Sequence, residues 1–307
     1  MTVPTADNTG ASESILLQRW LARYSTVQSQ YDSQIKSLLK DGASDAQDRI
    51  MALNQKTTFS SGVQTAQIKM TMNSIQSTFK SLFKQIIPII QSGQKDEAGA
   101  ASDALNETDL QYLRAALSAT TDIDSFIKSE KQRAELGVLH ALSNVTQSSQ
   151  PLSARVYRTQ FLANNWVKNQ VTKSILLGDS ADEIASKVKG SINPDTPGGV
   201  SYAALRLGRT ELNNAFHASA ITLSQDRPWI TGMQWFTSRT HEDDPTEICT
   251  QLKDQIFTMD KVPAKPHPQC RCYVAPVLES ATAFANHLTA GTYRDWIEDN
   301  SDENQAA

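Results

Sequence analysis

Apolar residues recur at alternating spacings of four and three through Ile68, Met72, Ile75, Phe79, Leu82 and Ile86. This heptad-like stripe predicts an amphipathic helix packed on a partner helix. A second stripe, Leu17, Leu21, Tyr24, Tyr31, Ile35 and Leu38, predicts an earlier helix over 14–40 that Asp41-Gly42 breaks. Gln91-Ser92-Gly93 is expected to close the helix that carries Ile68 to Ile86, leaving 95–105 as a polar, Ala-rich connector. More helices are predicted over 108–118 and 122–144 and, beyond the linker Ser148-Ser149-Gln150-Pro151, over 153–177 and 180–189. The last opens on a capping box, in which Ser180 and Glu183 satisfy each other's free amides. Asn193 to Gly199, with two prolines and two glycines, reads as a sharp break.

From Tyr202 the pattern changes. Leu205, Leu212, Phe216, Ala220 and Leu223 mark one helix over 203–224, with Arg209 expected near Asn213 and Glu211 near neighbouring strands. The period then shortens to two. Ile230 to Ser238 reads as a strand with Met233 and Trp235 on one side, and Gln255 to Thr258 and Cys272 to Ala275 read as two more. Six of the 11 prolines fall between Pro228 and Pro276, which makes this unit irregular and forbids a helix over 263–272. The expected fold is α+β: a mostly helical N-terminal region followed by a long helix packed on a small irregular β unit. The expected segments are a disordered N-terminus (1–13), a helical region (14–150), a helical connector (151–200), an α+β module (201–278), a C-terminal helix (279–298) and an acidic disordered tail (299–307).

Composition narrows the classes. The chain has 307 residues and a net charge of −4, so it is no polycation. Residues 279–307 hold six acids against one Arg294, which leaves the first 278 near +1. Arg155, Arg158, Lys168 and Lys173 cluster on the helix after Pro151; they read as ordinary solvated cations or as candidate phosphate contacts. No run of 18 apolar residues offers a membrane span, and Met1 to Ser14 lacks the basic and apolar parts of a secretory signal. A cytosolic protein, or one assembled in the cytosol, is expected.

The three cysteines, Cys249, Cys270 and Cys272, share one short segment. With His267 they make a Cys₃His set suited to zinc, the kind of staple a small β unit with little core uses. The Cys270–Cys272 gap is tighter than usual zinc spacing. Buried thiols packed as small apolar groups, or a Cys249–Cys270 disulfide, fit the same residues. In each case the expectation is a clasp tying the last strand to the Trp235 strand. A thiol hydrolase would use Cys270 or Cys249 as nucleophile and His241 or His267 as base, but the sequence has no Gly-rich oxyanion segment and no third orienting residue. A metal-dependent nuclease would use His241-Glu242-Asp243-Asp244, a segment that reads more simply as a surface loop. There is no Walker loop and no dinucleotide fingerprint.

An Arg209-Thr210-Glu211 helix precedes the Trp235 strand and an acidic loop; Cys249 and Leu252 come before an Ile-Phe strand, and His267-Pro268-Gln269-Cys270-Arg271-Cys272 closes the string. This order resembles the phage head morphogenesis family, the minor head proteins that carry the MuF domain. The resemblance covers about Tyr202 to Leu278, with the His267 to Cys272 string as its most specific piece. One departure is Leu252-Lys253-Asp254-Gln255, where the family often has Leu-Asp-Gly and a tight glycine turn. The resemblance implies a structural virion component without catalysis, inside the head at the portal vertex, present in host cytoplasm during assembly. Its implied partners are the portal protein, other head proteins or copies of itself, and packaged DNA handled during packaging or ejection. Some relatives carry a toxin domain; the 29 residues after Leu278 are too few for one.

Overall fold

The computed structural model describes residues 10–54, 64–116, 152–177, 179–192, 200–238, 241 and 244–299. Its helices are α1 (Gly10–Asn54), α2 (Gln64–Ala116), α3 (Leu152–Leu176), α4 (Ala181–Ile192) and α5 (Val200–Gln225). Then come β1 (Ile230–Phe236), the short α6 (Ile248–Leu252), β2 (Ile256–Phe257), a 3-10 turn over Met259–Lys261, β3 (Tyr273–Leu278), α7 (Ala281–Thr289) and α8 (Arg294–Asp299). The fold is α+β, mostly helical with one small antiparallel sheet, as the period change leads one to expect.

Two predicted helix ends do not occur. Helix α1 runs through Asp41-Gly42, and its buried stripe continues into Ala43, Ala46 and Ile50. A Cβ on Gly42 would lie 2.8 Å from Leu82 Cδ1, so this glycine serves close approach between α1 and α2 rather than termination. Helix α2 likewise continues past Gln91-Ser92-Gly93 and through the expected connector, because Ala98, Ala101, Ala104 and Leu105 are buried there. Its Pro88 lies on the exposed side, where water reaches the carbonyl that the missing N–H leaves free. Helix α1 also starts at Gly10, inside the segment expected to be disordered. The predicted helix over 122–144, the linker before Leu152, the break at 193–199 and the tail beyond Asp299 lie outside the described residues.

The chain divides into two compact units. The helical unit comprises residues 29–93 and 146–211. Ile35, Leu39, Ile75, Phe79, Ile86 and Ile90 are buried in it, and α3 turns Val156, Val167 and Val171 inward. Arg209 bonds Asp32 through Nε at 2.8 and 2.9 Å, and the buried Glu211 pairs with Arg155 at 2.8 Å. Burial pushes the Glu211 carboxyl up and the Arg155 guanidinium opposes that rise. The Ser180–Glu183 capping box forms, with Ser180 N donating to Glu183 Oε2 at 2.7 Å and Glu183 N donating to Ser180 Oγ at 3.3 Å.

The mixed unit comprises residues 1–28, 94–145 and 212–307. Its sheet has the order β2-β1-β3 with antiparallel pairing throughout. Met233 and Trp235 of β1 are fully buried, the face expected from alternation, and a register shift between Ile230 and Gly232 interrupts that alternation at the strand's start. The end of α5 is fixed by a buried cluster: the Arg227 guanidinium meets Asp109, the Asn106 side chain and the Leu223 carbonyl, and Trp229 Nε1 donates to Asp109 at 2.9 Å. Trp229 in turn packs edge-on against Phe284 and Trp296. The single C-terminal helix expected over 279–298 is two helices, separated by a turn with Gly291 at φ 75°. Before β2, Asp254 sits at φ 61°, so the tight turn survives with Asp in the left-handed position that glycine favours. Its N–H bonds the Trp235 carbonyl at 2.9 Å.

Gly232 is where the sheet has no spare room: a Cβ there would lie 2.6 Å from the Phe257 carbonyl oxygen. Gly232→Ala is expected to cost about 1–3 kcal/mol in urea denaturation. Gly99→Ala, in α2 with nothing within 4 Å of the new Cβ, is expected to add about 0.5–1 kcal/mol.

Candidate metal centre

The site forms where the proline-rich segment folds back on α5. His267 to Cys270 makes a turn closed by Cys270 N donating to the His267 carbonyl at 3.3 Å. Pro268 at its second position and Gln269 at φ 59° at its third give the type II geometry, which points His267 and Cys270 the same way. Cys249 approaches from α6. Its Sγ lies 3.4 Å from His267 Nε2 and 3.5 Å from Cys270 Sγ, so these three donors converge within 4.8 Å of one another. Cys272 stands outside that trio, with its Sγ 3.9 Å from His241 Nδ1. All three thiols are free and buried. Spacings of this size are those between ligands of a tetrahedral thiolate–imidazole centre, and the Cys249–His267–Cys270 group, with both thiols buried and the imidazole exposed, can hold a metal ion.

The proton inventory sharpens this. His267 Nδ1 faces the Pro268 carbonyl at 3.1 Å, and the tautomer with its proton on Nδ1 turns the Nε2 lone pair toward sulfur. Nε2 also lies 3.0 Å from Glu247 Oε1. A neutral ring with its proton on Nε2, an imidazolium or a bound metal each satisfies that approach. Glu247 is built in rigidly. It caps α6, with Oε2 accepting from Cys249 N at 2.7 Å and Thr250 N at 3.1 Å, and that oxygen stands 3.3 Å from His241 Nε2. His241 completes a cleft of about 320 Å³ lined also by Glu247, His267, Arg271 and Cys272.

The thiols are not equivalent. Burial pushes Cys249 up to about 12. The hydrogen bond from Cys272 lowers Cys270, and the same bond raises Cys272. Beneath them lies Lys265, whose Nζ donates to the Cys272 carbonyl and sits 5.9 Å from the Tyr24 ring centre. Burial lowers its pKa while the three cysteines and Glu97 oppose that shift. Glu97, fully buried on α2 with neither carboxyl oxygen hydrogen-bonded, is pushed up to about 9 by burial.

Asn213 joins this segment to the helices. Its buried side chain donates from Nδ2 to the Cys270 carbonyl at 2.7 Å, while Oδ1 accepts from Tyr24 OH at 2.7 Å and Gln28 Nε2 at 2.5 Å. In the sequence Asn213 stands out only as a neighbour of Arg209, and Glu247 does not stand out at all. The available signal for Asn213 was an amide set within an apolar stripe, beside Leu212 and Phe216. Trp235 serves as core, edge-on to His217 at 5.8 Å. His217 bonds the Pro263 carbonyl at 2.8 Å and is held down at about 3 by burial. Thr210 donates to the Arg206 carbonyl within α5. Among the acidic-loop residues, Asp244 is occupied by Thr246, and Glu242 and Asp243 lie outside the described residues. Of the phosphate-contact candidates, Arg155 is engaged by Glu211, while Arg158, Lys168 and Lys173 are exposed. Among the described residues no helix is long and apolar enough to cross a membrane.

Glu97 keeps its proton in the folded chain up to about pH 9, whereas its ordinary value is 4.5. Folding therefore takes up a proton between those values, and stability is expected to fall as pH rises through that window. Glu97→Gln should remove this part of the pH dependence and be the more stable form at pH 8, as measured by urea denaturation of both proteins from pH 5 to pH 8. Comparison of the chain with protein-family models, with curated proteins and with solved structures finds no match.

Proposed function

We propose that the chain is a minor structural protein of a phage head, of the MuF-domain kind, held inside the capsid at the portal vertex. It contributes there to head morphogenesis and to packaging or ejection of DNA, and it works through the portal protein, other head proteins or further copies of itself. It is present in the host cytoplasm during assembly and performs no catalysis. One observation carries this reading: the His267 to Cys272 string, its most family-specific piece, forms a clasp tied through Asn213 to the helix that bears Arg209-Thr210-Glu211. The residues behind the resemblance thus take architectural roles. Arg209 and Glu211 are held in ion pairs, Trp235 is core and Cys270 is tethered. The thiol-hydrolase reading draws on the Cys249–His267 approach, but Cys249 is fully buried and its thiol is pushed up to about 12.

In this reading the clasp takes zinc on the converging Cys249, Cys270 and His267, and Cys272 moves in from beside them as the fourth ligand. Sulfur and imidazole donors suit that ion, and four protein ligands leave no open position for a substrate, which makes the centre a staple. Bound zinc supplies a cross-link between α6 and the segment leading to β3. About one zinc per chain is expected by elemental analysis of protein purified without chelator, together with a lower unfolding temperature after chelation. Fully folded, metal-free protein whose melting a chelator leaves unchanged would remove zinc from the proposal.

The head assignment is tested by locating the chain in purified particles by mass spectrometry of separated heads and tails and by antibody labelling of opened heads. Recovery with heads, protected until they are opened, is expected. Absence from the particle, or recovery with tails, overturns it.

A further inference from the structure

Helix α3 is amphipathic the wrong way round. Its small residues Val156, Ala163, Val167 and Val171 are buried, whereas Tyr157, Phe161, Leu162 and Trp166 are 53, 64, 59 and 37% exposed. An ordinary surface helix turns its bulky apolar side chains inward. Four such residues facing water within ten positions form a patch of the kind that marks a binding surface.

Charge says what the patch receives. The helix carries Arg155, Arg158, Lys168 and Lys173 and no Asp or Glu. Its unit holds 15 Lys and Arg against nine Asp and Glu, a net +6, while the other unit holds 14 against 24. The exposed cations are inside the patch, not around it. At about 100° per residue, Arg158, Leu162, Asn165 and Asn169 fall within about 40° of one line along the helix. Phe161 and Tyr157 widen this arc on one side, and Lys173 and Trp166 on the other. Lys is depleted at protein interfaces, so Lys168 and Lys173 within the patch fit a protein partner poorly. A second copy would set these cations against their own kind. A DNA duplex keeps its base faces stacked on one another, out of reach of the aromatic rings. A single strand offers phosphates to the cations and free base faces to the rings.

We propose that the exposed face of α3 is a binding surface for single-stranded DNA, with Arg158, Lys168 and Lys173 on phosphates and Tyr157, Phe161 and Trp166 stacking bases. The choice of DNA among polyanions rests on the head-protein reading. From Tyr157 to Lys173 the face runs about 24 Å, room for several nucleotides.

The test is fluorescence anisotropy of a labelled oligodeoxythymidine of about 20 nucleotides with the purified full chain across a salt series. The log of the affinity is expected to fall with the log of salt at a slope of about −2, as three phosphate contacts on a single strand give. Tyr157→Ala with Phe161→Ala should weaken binding about tenfold or more and leave the unfolding transition in place, since both side chains are exposed. Arg158→Glu with Lys168→Glu should flatten the salt slope. Lys80→Glu with Lys84→Glu, exposed cations of the same unit on α2, should change neither. The proposal is overturned by absence of binding at low salt, by equally tight binding of the matching duplex, or by unchanged binding of the aromatic variant. It is equally overturned if the Lys80/Lys84 variant loses as much, or if light scattering shows a self-associated protein that the aromatic variant dissociates. Failure of the head assignment shows in the particle fractions and leaves this measurement standing.

Discussion

The amide of Asn213 is the point on which the mixed unit turns. Buried in the middle of α5, it must satisfy both its ends without water, and leaving either unmet would cost about 1–3 kcal/mol. The solution uses α1 on one side, through Tyr24 and Gln28, and the Cys270 carbonyl on the other. Three prolines keep the segment before Cys270 out of regular structure, so its backbone has few partners of its own. The Asn213 bond gives it one, and the chain continues from there into β3, which pairs with β1 along most of its length. The sheet itself is small, and much of its order comes from being held on the helix at this point and at the Arg227–Asp109–Trp229 cluster.

Around Cys270 the same economy governs the chemistry. Two sulfurs, an imidazole nitrogen and a carboxylate meet in one place, with a third thiol close by and the half-buried Lys265 next to it. Each of these atoms can accept a proton or ligate a cation. Glu97 does not serve as a counter-anion for Lys265 near neutrality, because burial keeps it protonated. Cys249, the thiol nearest His267, is among those least ready to ionise.

The two units divide the work unevenly. The mixed unit spends its distinctive residues on its own cohesion, from Asn213 to the capping carboxylate of Glu247. The helical unit is held by conventional burial and by the Arg209–Asp32 and Arg155–Glu211 pairs, and it leaves its bulky α3 side chains in water.

The sequence by itself determined what repeats locally. The stripes of α1, α2 and α5, the Ser180–Glu183 cap, the alternation of β1 and the gathering of all cysteines in one proline-rich segment are each legible because a short window contains both partners. Only the tertiary structure decided where glycine ends a helix and where it lets two helices touch, since Gly42 reads as a breaker until Leu82 is seen against it. It also decided that Arg209 meets Asp32 across 177 residues, that Asn213 meets Cys270 across 57, and that Arg155 meets Glu211 across 56. Periodicity says which side of a helix is apolar, yet it does not say that the bulkiest side chains of α3 face solvent. Which face is buried depends on which neighbour the chain brings to it, and no local spacing records that.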